Sequence, residues 1–261
     1  MRRLSLALAL ALLAPATALA DAPKPADFWQ GNVGAGLILM TGNTRTTTFT
    51  GNAMAVRDSL GWIWTAKAWG AYGRNRAAVA PTPEVSAYNM ALQLRLDRKF
   101  GDIWTVYVLG GAEGDHVAAV ELRGYGELGV SATWIDVKEK DFQWIGLRTD
   151  LGFRYTTEKR YAYYPSPGSP LPGADLYAPH LGLAFRYAFN KDVWFTEDVD
   201  FIPGVFTSPN RFQTRSLSQL AARVASNVTT GVSYLVVDDS RPAAGKRRTD
   251  TTLTANVSLS Y

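Results

Sequence analysis

The chain of 261 residues has no cysteine and only two histidines. Without thiols the fold cannot be stapled by disulfides and cannot hold a thiolate metal centre or a cysteine nucleophile. The two histidines, His116 and His180, cannot complete a tetrahedral metal site without help from carboxylates. After the first twenty residues no run approaches the roughly 18 apolar residues of a membrane helix. A contiguous basic stripe is missing as well. The formal charge of +4 includes Arg2 and Arg3, and elsewhere Arg and Asp alternate, so nucleic acid is a poor partner for this chain.

Met1-Arg2-Arg3, then the apolar stretch from Leu4 to Leu13, then Ala18-Leu19-Ala20, is the pattern of a secretory signal peptide, residues 1–20, cleaved after about Ala20. With no cysteine behind it, a lipoprotein anchor is excluded. Residues 21–27, with Pro23 and Pro25, read as a periplasmic lead-in. Residues 28–261 read as one domain.

What the chain does have is aromatics, eight Trp, twelve Tyr and eleven Phe, and strict two-residue alternation. Thr251, Leu253, Ala255, Val257, Leu259 and Tyr261 share one face of the final segment, with Thr252, Thr254, Asn256 and Ser258 on the other. Tyr88, Met90, Leu92, Leu94 and Leu96 stand against Asn89, Gln93, Arg95 and Asp97. This pattern fits a water-soluble sandwich with an oily core and a membrane barrel with an oily exterior equally well. Three further features favour the barrel. Several segments exceed the roughly 9–11 residues of a tilted bilayer crossing. Trp62, Trp64, Trp104, Trp144, Trp194 and Tyr261 fall near strand ends, as interfacial girdles do. The turns are short on one side and longer on the other. Strands are expected near 28–41, 44–57, 60–73, 84–98, 102–114, 121–137, 142–158, 176–190, 193–206, 211–224, 227–238 and 249–261. An even number puts both termini on one side, with short turns at Asp58-Ser59, 99–101, 138–141, 190–192 and Ala225-Ser226. The longer loops, among them the Pro-rich 159–175, fall on the other side. The expected fold is an all-β, transmembrane, antiparallel up-and-down β-barrel of about twelve strands. Its first outer hairpin turns at Gly42, Asn43 and Thr44, where Gly and Asn tolerate positive φ, and the comb Thr46, Thr48, Thr50, Asn52 returns along the lumen.

The polar face of these strands carries Lys67, Arg95, Asp97, Glu127, Arg148, Asp150, Arg154, Arg186, Asp198, Asp200, Arg215 and Arg223. Such charges either pair across strands and fill the bore or line a narrow aqueous path for an ion or small polar solute. Glu197 breaks the pattern, falling on the lipid-facing parity in mid-strand; a β-bulge turns it inward, or the register is off by one. No nucleophile elbow appears, and His116 and His180 fall in an outer loop and near the outer end of a strand, so no catalytic set is assigned. Asp238-Asp239 and Glu197-Asp198 read as solvated acids, and no metal or cofactor is assigned.

"TGNTRTTT" at 41–48, "GYGELGVSATWI" at 124–135, "DLGFRYTTEKR" at 150–160, "NKDVWFTEDVDFIPGV" at 190–205 and the closing "VVDDSRPAAGKRRTDTTLTANVSLSY" span nearly the whole chain beyond the signal. In these segments the chain resembles the salt-induced outer-membrane proteins of Gram-negative bacteria, a family of unestablished molecular function. The resemblance implies a cell outer-membrane barrel tied to a salt or osmotic response of the envelope. It further implies contact with outer-membrane lipid and lipopolysaccharide, and delivery to the barrel-assembly machinery through the last strand, which ends at Tyr261.

Overall fold

In the computed structural model, residues 29–40, 44–77, 84–140, 142–164, 168, 170–204, 206 and 210–261 are described. The segments 1–20 and 21–27, with the tip Gly42-Asn43, lie outside the described residues. The strands are β1 (Gln30–Met40), β2 (Thr44–Ser59), β3 (Trp62–Ala77), β4 (Glu84–Phe100), β5 (Trp104–Asp115), β6 (Val120–Glu139), β7 (Phe142–Tyr161), β8 (Pro170–Ala188), β9 (Val193–Gly204), β10 (Arg211–Ala225), β11 (Val228–Asp239) and β12 (Thr249–Ser260). All are antiparallel to their sequence neighbours, and β1 pairs with β12, so the sheet closes into a twelve-stranded barrel with no free edge. The closing seam is short, five residue pairs from Asn32↔Ser260 to Gly36↔Asn256.

Closure settles which face is which. Leu92, Leu94, Leu128, Leu151, Leu181 and Leu253 stand on the outside, each about half exposed or more. The opposite parity, including Arg95, Glu127, Asp150 and His180, meets across the bore. A barrel in water puts its apolar side chains inside; this one wears them outside, a surface suited to hydrocarbon. Aromatics collect at both ends of the outer wall. Trp104 meets Trp134 edge-on at 6.0 Å near the end that holds the termini, and Tyr72 meets Tyr88 at 5.8 Å near the opposite end. Trp194 departs from the expected girdle. Its parity points inward, and Arg186 lies over its ring at 4.9 Å.

Several boundaries differ from the sequence reading for identifiable reasons. The first turn on the terminal side is Leu60-Gly61, not Asp58-Ser59; both residues have positive φ, 50° and 78°, as a primed two-residue hairpin requires. Likewise β10 and β11 turn at Ser226-Asn227, not Ala225-Ser226. The Pro-rich stretch 159–175 is largely strand. β7 runs to Tyr161 and β8 starts at Pro170, with a register irregularity between Glu158 and Arg160. Pro179 is tolerated in mid-strand because β9 pairs with β8 only from Leu181 onward, so a missing N–H on that side interrupts no ladder. With β8 extended, His180 lies near its middle and not at its outer end.

Glu197 requires neither proposed remedy. The ladders β8–β9 and β9–β10 run without a shift, so the carboxylate stays on the outer face. Ser216 and Ser218, outward on β10, donate hydroxyl hydrogen bonds to Glu197 Oε1 at 2.6 Å and Oε2 at 2.5 Å. Neighbouring hydroxyls thus do the solvating that water does elsewhere.

Candidate functional site: the lumen

The inward charges lie in two connected groups, one at mid-barrel and one toward the loop end. At mid-barrel, Arg95 on β4 forks onto Asp97 with Nη2 to Oδ1 at 2.8 Å, and reaches Asp150 on β7 at 2.5 Å and Ser131 on β6 at 2.7 Å. The Arg95 guanidinium also lies 3.8 Å over the ring of Tyr107, which donates its hydroxyl to Glu127. Arg154 donates to Glu127 Oε2 at 2.6 Å, and His180 joins Glu127 to Asp200. Arg148 Nε sits 3.2 Å from Asp150 Oδ1, a charge contact not aligned as a hydrogen bond. Glycines make this packing possible. A Cβ at Gly129 or Gly152 would lie 2.6 Å from the Tyr107 hydroxyl, so the ring crosses β6 and β7 only because neither has a side chain there.

Toward the loop end, Glu158 on β7 is shared by three arginines: Arg123 at 3.0 Å, Arg160 at 2.9 Å and Arg211 at 2.7 Å. Arg123 also binds Glu113, and Arg211 also binds Asp239. The 240–248 connection is tied to this group. Arg160 donates to the Arg241 carbonyl, and Lys246 to the Tyr164 carbonyl at 2.9 Å.

Many of these bonds skip strands. Arg95 to Asp150 passes β5 and β6, Glu127 to His180 passes β7, and Arg211 to Glu158 passes β8 and β9. Only side chains cutting a chord across the concave face can do this, so the β4–β10 side is braced inside. The facing wall is different. β12, β1 and β2 offer Thr254, Asn256, Gly34, Gly36, Thr50 and Asn52, small or uncharged groups.

Between the two walls several charged side chains remain exposed. The side chains of Arg148, Arg215 and Asp200 point inward yet stay 43%, 36% and 36% exposed, and Lys67 and Asn52 are exposed too. By contrast the side chains of Glu127 and Glu158 are 0% exposed. Lys67 and Trp69 project from β3 toward β9 and β10; Arg215 lies 5.9 Å over the Trp69 ring, and Lys67 shares this space with Asp198, Asp200 and Arg148. The charged side chains therefore crowd the β4–β10 half of the bore, and the exposed ones lie toward its middle. Arg186 and Arg223 sit nearer the terminal end, Arg186 donating to the Gln143 carbonyl at 3.1 Å and Arg223 exposed.

Of the twelve lumen candidates read from the sequence, Arg95, Asp97, Glu127, Arg148, Asp150, Arg154 and Asp200 are thus brought into one cluster, with Arg215 3.9 Å from Asp200, Asp198 on the same strand, and Lys67 facing them from β3. The sequence reading missed Tyr107, Ser131, His180 and the whole Glu158 group. Parity was the available signal, since Glu158 and Arg160 continue the even-numbered face of Arg148 and Arg154. Among the described residues no three His, Asp or Glu side chains gather as a metal site.

A family model described as Protein of unknown function, DUF481, matches residues 33–261. The chain belongs to that family. No curated protein matches it. Among solved structures this DUF481 barrel is similar to the NanC porin, at TM-score 0.48 and 12% identity over 88% of this chain and 98% of that one. It is also similar to the translocator domain of the autotransporter NalP from Neisseria meningitidis, at 0.43 and 11% over 89% and 86%. A third is the KdgM porin in complex with disordered oligogalacturonate, at 0.40 and 10% over 90% and 99%. At such identities nothing about cargo carries over.

Proposed function

We propose that this DUF481 protein resides in the outer membrane and that its lumen is a narrow passage for ions or small polar solutes. The observation that carries the reading is the exposure of inward-facing Lys67, Arg148, Asp200 and Arg215 at mid-barrel beside a wall of hydroxyls and amides. A charged side chain that points into a barrel and yet stays exposed lines an aqueous space. The apolar outer band supports contact with membrane lipid and lipopolysaccharide. Engagement of the barrel-assembly machinery by β12, export through the 1–20 segment, and a role in salt or osmotic response are further proposals, resting on the sequence and its resemblance.

A second reading, a filled barrel with a purely envelope-structural role, is favoured by the chords of ion pairs across β4–β10. A hydrolase is the weaker reading: both ring nitrogens of His180 are committed to carboxylates, and His116 stacks on Tyr163 at 4.0 Å on the outer rim. Refolded protein in planar bilayers separates the first two. The passage gives discrete conductance steps whose charge preference moves toward cations in Arg148→Ala; a silent bilayer contradicts it.

A further inference from the structure

His180 is gripped from both sides inside the bore. Nδ1 lies 2.6 Å from Glu127 Oε1 on β6, and Nε2 lies 3.0 Å from Asp200 Oδ1 on β9. A neutral imidazole has one N–H and one lone pair, so it can donate to only one of these acceptors; an imidazolium donates to both. The two acids are not equivalent. Glu127 is fully buried and also accepts from Tyr107 on β5 and Arg154 on β7. Asp200 keeps 36% of its side chain exposed to the lumen, with Arg215 of β10 3.9 Å away. The other charged groups facing this spot are Asp150 of β7, beside Gly182, Arg148 of β7, Asp198 of β9, and Lys67 of β3 across the bore. Arg95 of β4 reaches it through the Tyr107 ring.

We propose that His180 is a proton-controlled latch on Asp200 that sets the ion preference of the lumen, an inference that rests on the passage proposed above. While the ring is an imidazolium, Asp200 is bonded to the wall and its charge is offset. Loss of the Nε2 proton to lumenal water leaves a lone pair facing Asp200 Oδ1. The Nδ1 proton stays with Glu127, which cannot move. Asp200 then turns away from the ring into the lumen, its charge no longer offset by an imidazolium, and cations are favoured.

The test is the reversal potential of the refolded full chain in planar bilayers under a potassium chloride gradient, at about pH 5 and about pH 8, which bracket histidine titration. The latch predicts a shift toward potassium preference at the higher pH, lost in His180→Gln and kept in His116→Gln. Conductance with no such shift, or with the same shift in His180→Gln, overturns it. A silent bilayer would instead count against the passage itself, so the latch is also read by ¹⁵N resonances of the His180 ring in detergent-refolded protein. At about pH 8 the latch requires the neutral ring to carry its proton on Nδ1. A proton on Nε2, still bonded to Asp200, overturns it whether or not the barrel conducts.

Discussion

On one side of the bore, β4 to β10 project arginines, carboxylates and Tyr107 into bonds that skip over intervening strands. On the other, β12, β1 and β2 project Gly34, Gly36, Thr50, Asn52, Thr254 and Asn256, which reach no further than their neighbours. The strands differ in scale too: β6 and β7 share eighteen residue pairs, whereas the β1–β12 seam has five. Similar antiparallel ladders are thus used for opposite ends. Long charged side chains occupy and brace their half of the cross-section, and short uncharged ones leave theirs unbraced. The braces are demanding, because a buried charge stripped of its partner is far more costly than an unmade neutral contact.

That asymmetry makes Glu158→Ala the most damaging single change, since it leaves Arg123, Arg160 and Arg211 buried around a missing carboxylate. It should lower unfolding free energy by about 3–5 kcal/mol, read as the urea midpoint of the refolded barrel. Thr50→Val on the hydroxyl wall should move the same midpoint by less than about 1 kcal/mol. Equal losses at the two sites would abolish the distinction between walls. Next comes Gly152→Val, whose added carbons fall on the Tyr107 hydroxyl and Glu127. A cost of about 1–3 kcal/mol is expected, with loss of the Arg95–Tyr107 contact visible in the near-ultraviolet signal of the tyrosine. The smallest effect belongs to Glu197→Leu. Outside the bore a carboxylate kept by two serines is a burden on the lipid face, so its removal should change stability by under about 1 kcal/mol, in the stabilising direction. A large loss there would mean that Glu197 belongs to the bracing after all.

Much of the barrel was written in the alternation. Every one of the twelve strands sits where two-residue periodicity put it, because side-chain direction in a strand is a local property of the pleat. The ends were harder to read. Pro170 looks like a loop signal, yet it opens β8, where the first residue of a strand tolerates a missing N–H. Glu197 looked like an error of register, yet its solvation comes from Ser216 and Ser218 across the hairpin. For the lumen, parity showed which charges face inward but not which ones meet. Arg95 and Asp150 are 55 residues apart, and Glu127 and His180 53, so their pairing is fixed by the curvature of the closed barrel. His180 in particular seemed a rim residue until β8 was seen to extend past it.

Since the chain has no cysteine, single introduced thiols report on each wall without background. Asn52 points into the bore and is exposed, and Ala53, the next residue on β2, points outward. In liposome-embedded barrels a hydrophilic maleimide should label Asn52→Cys and leave Ala53→Cys unmodified. Labelling of Ala53→Cys with Asn52→Cys protected would contradict the account by reversing the wall, and protection of both would contradict the watery half of the bore.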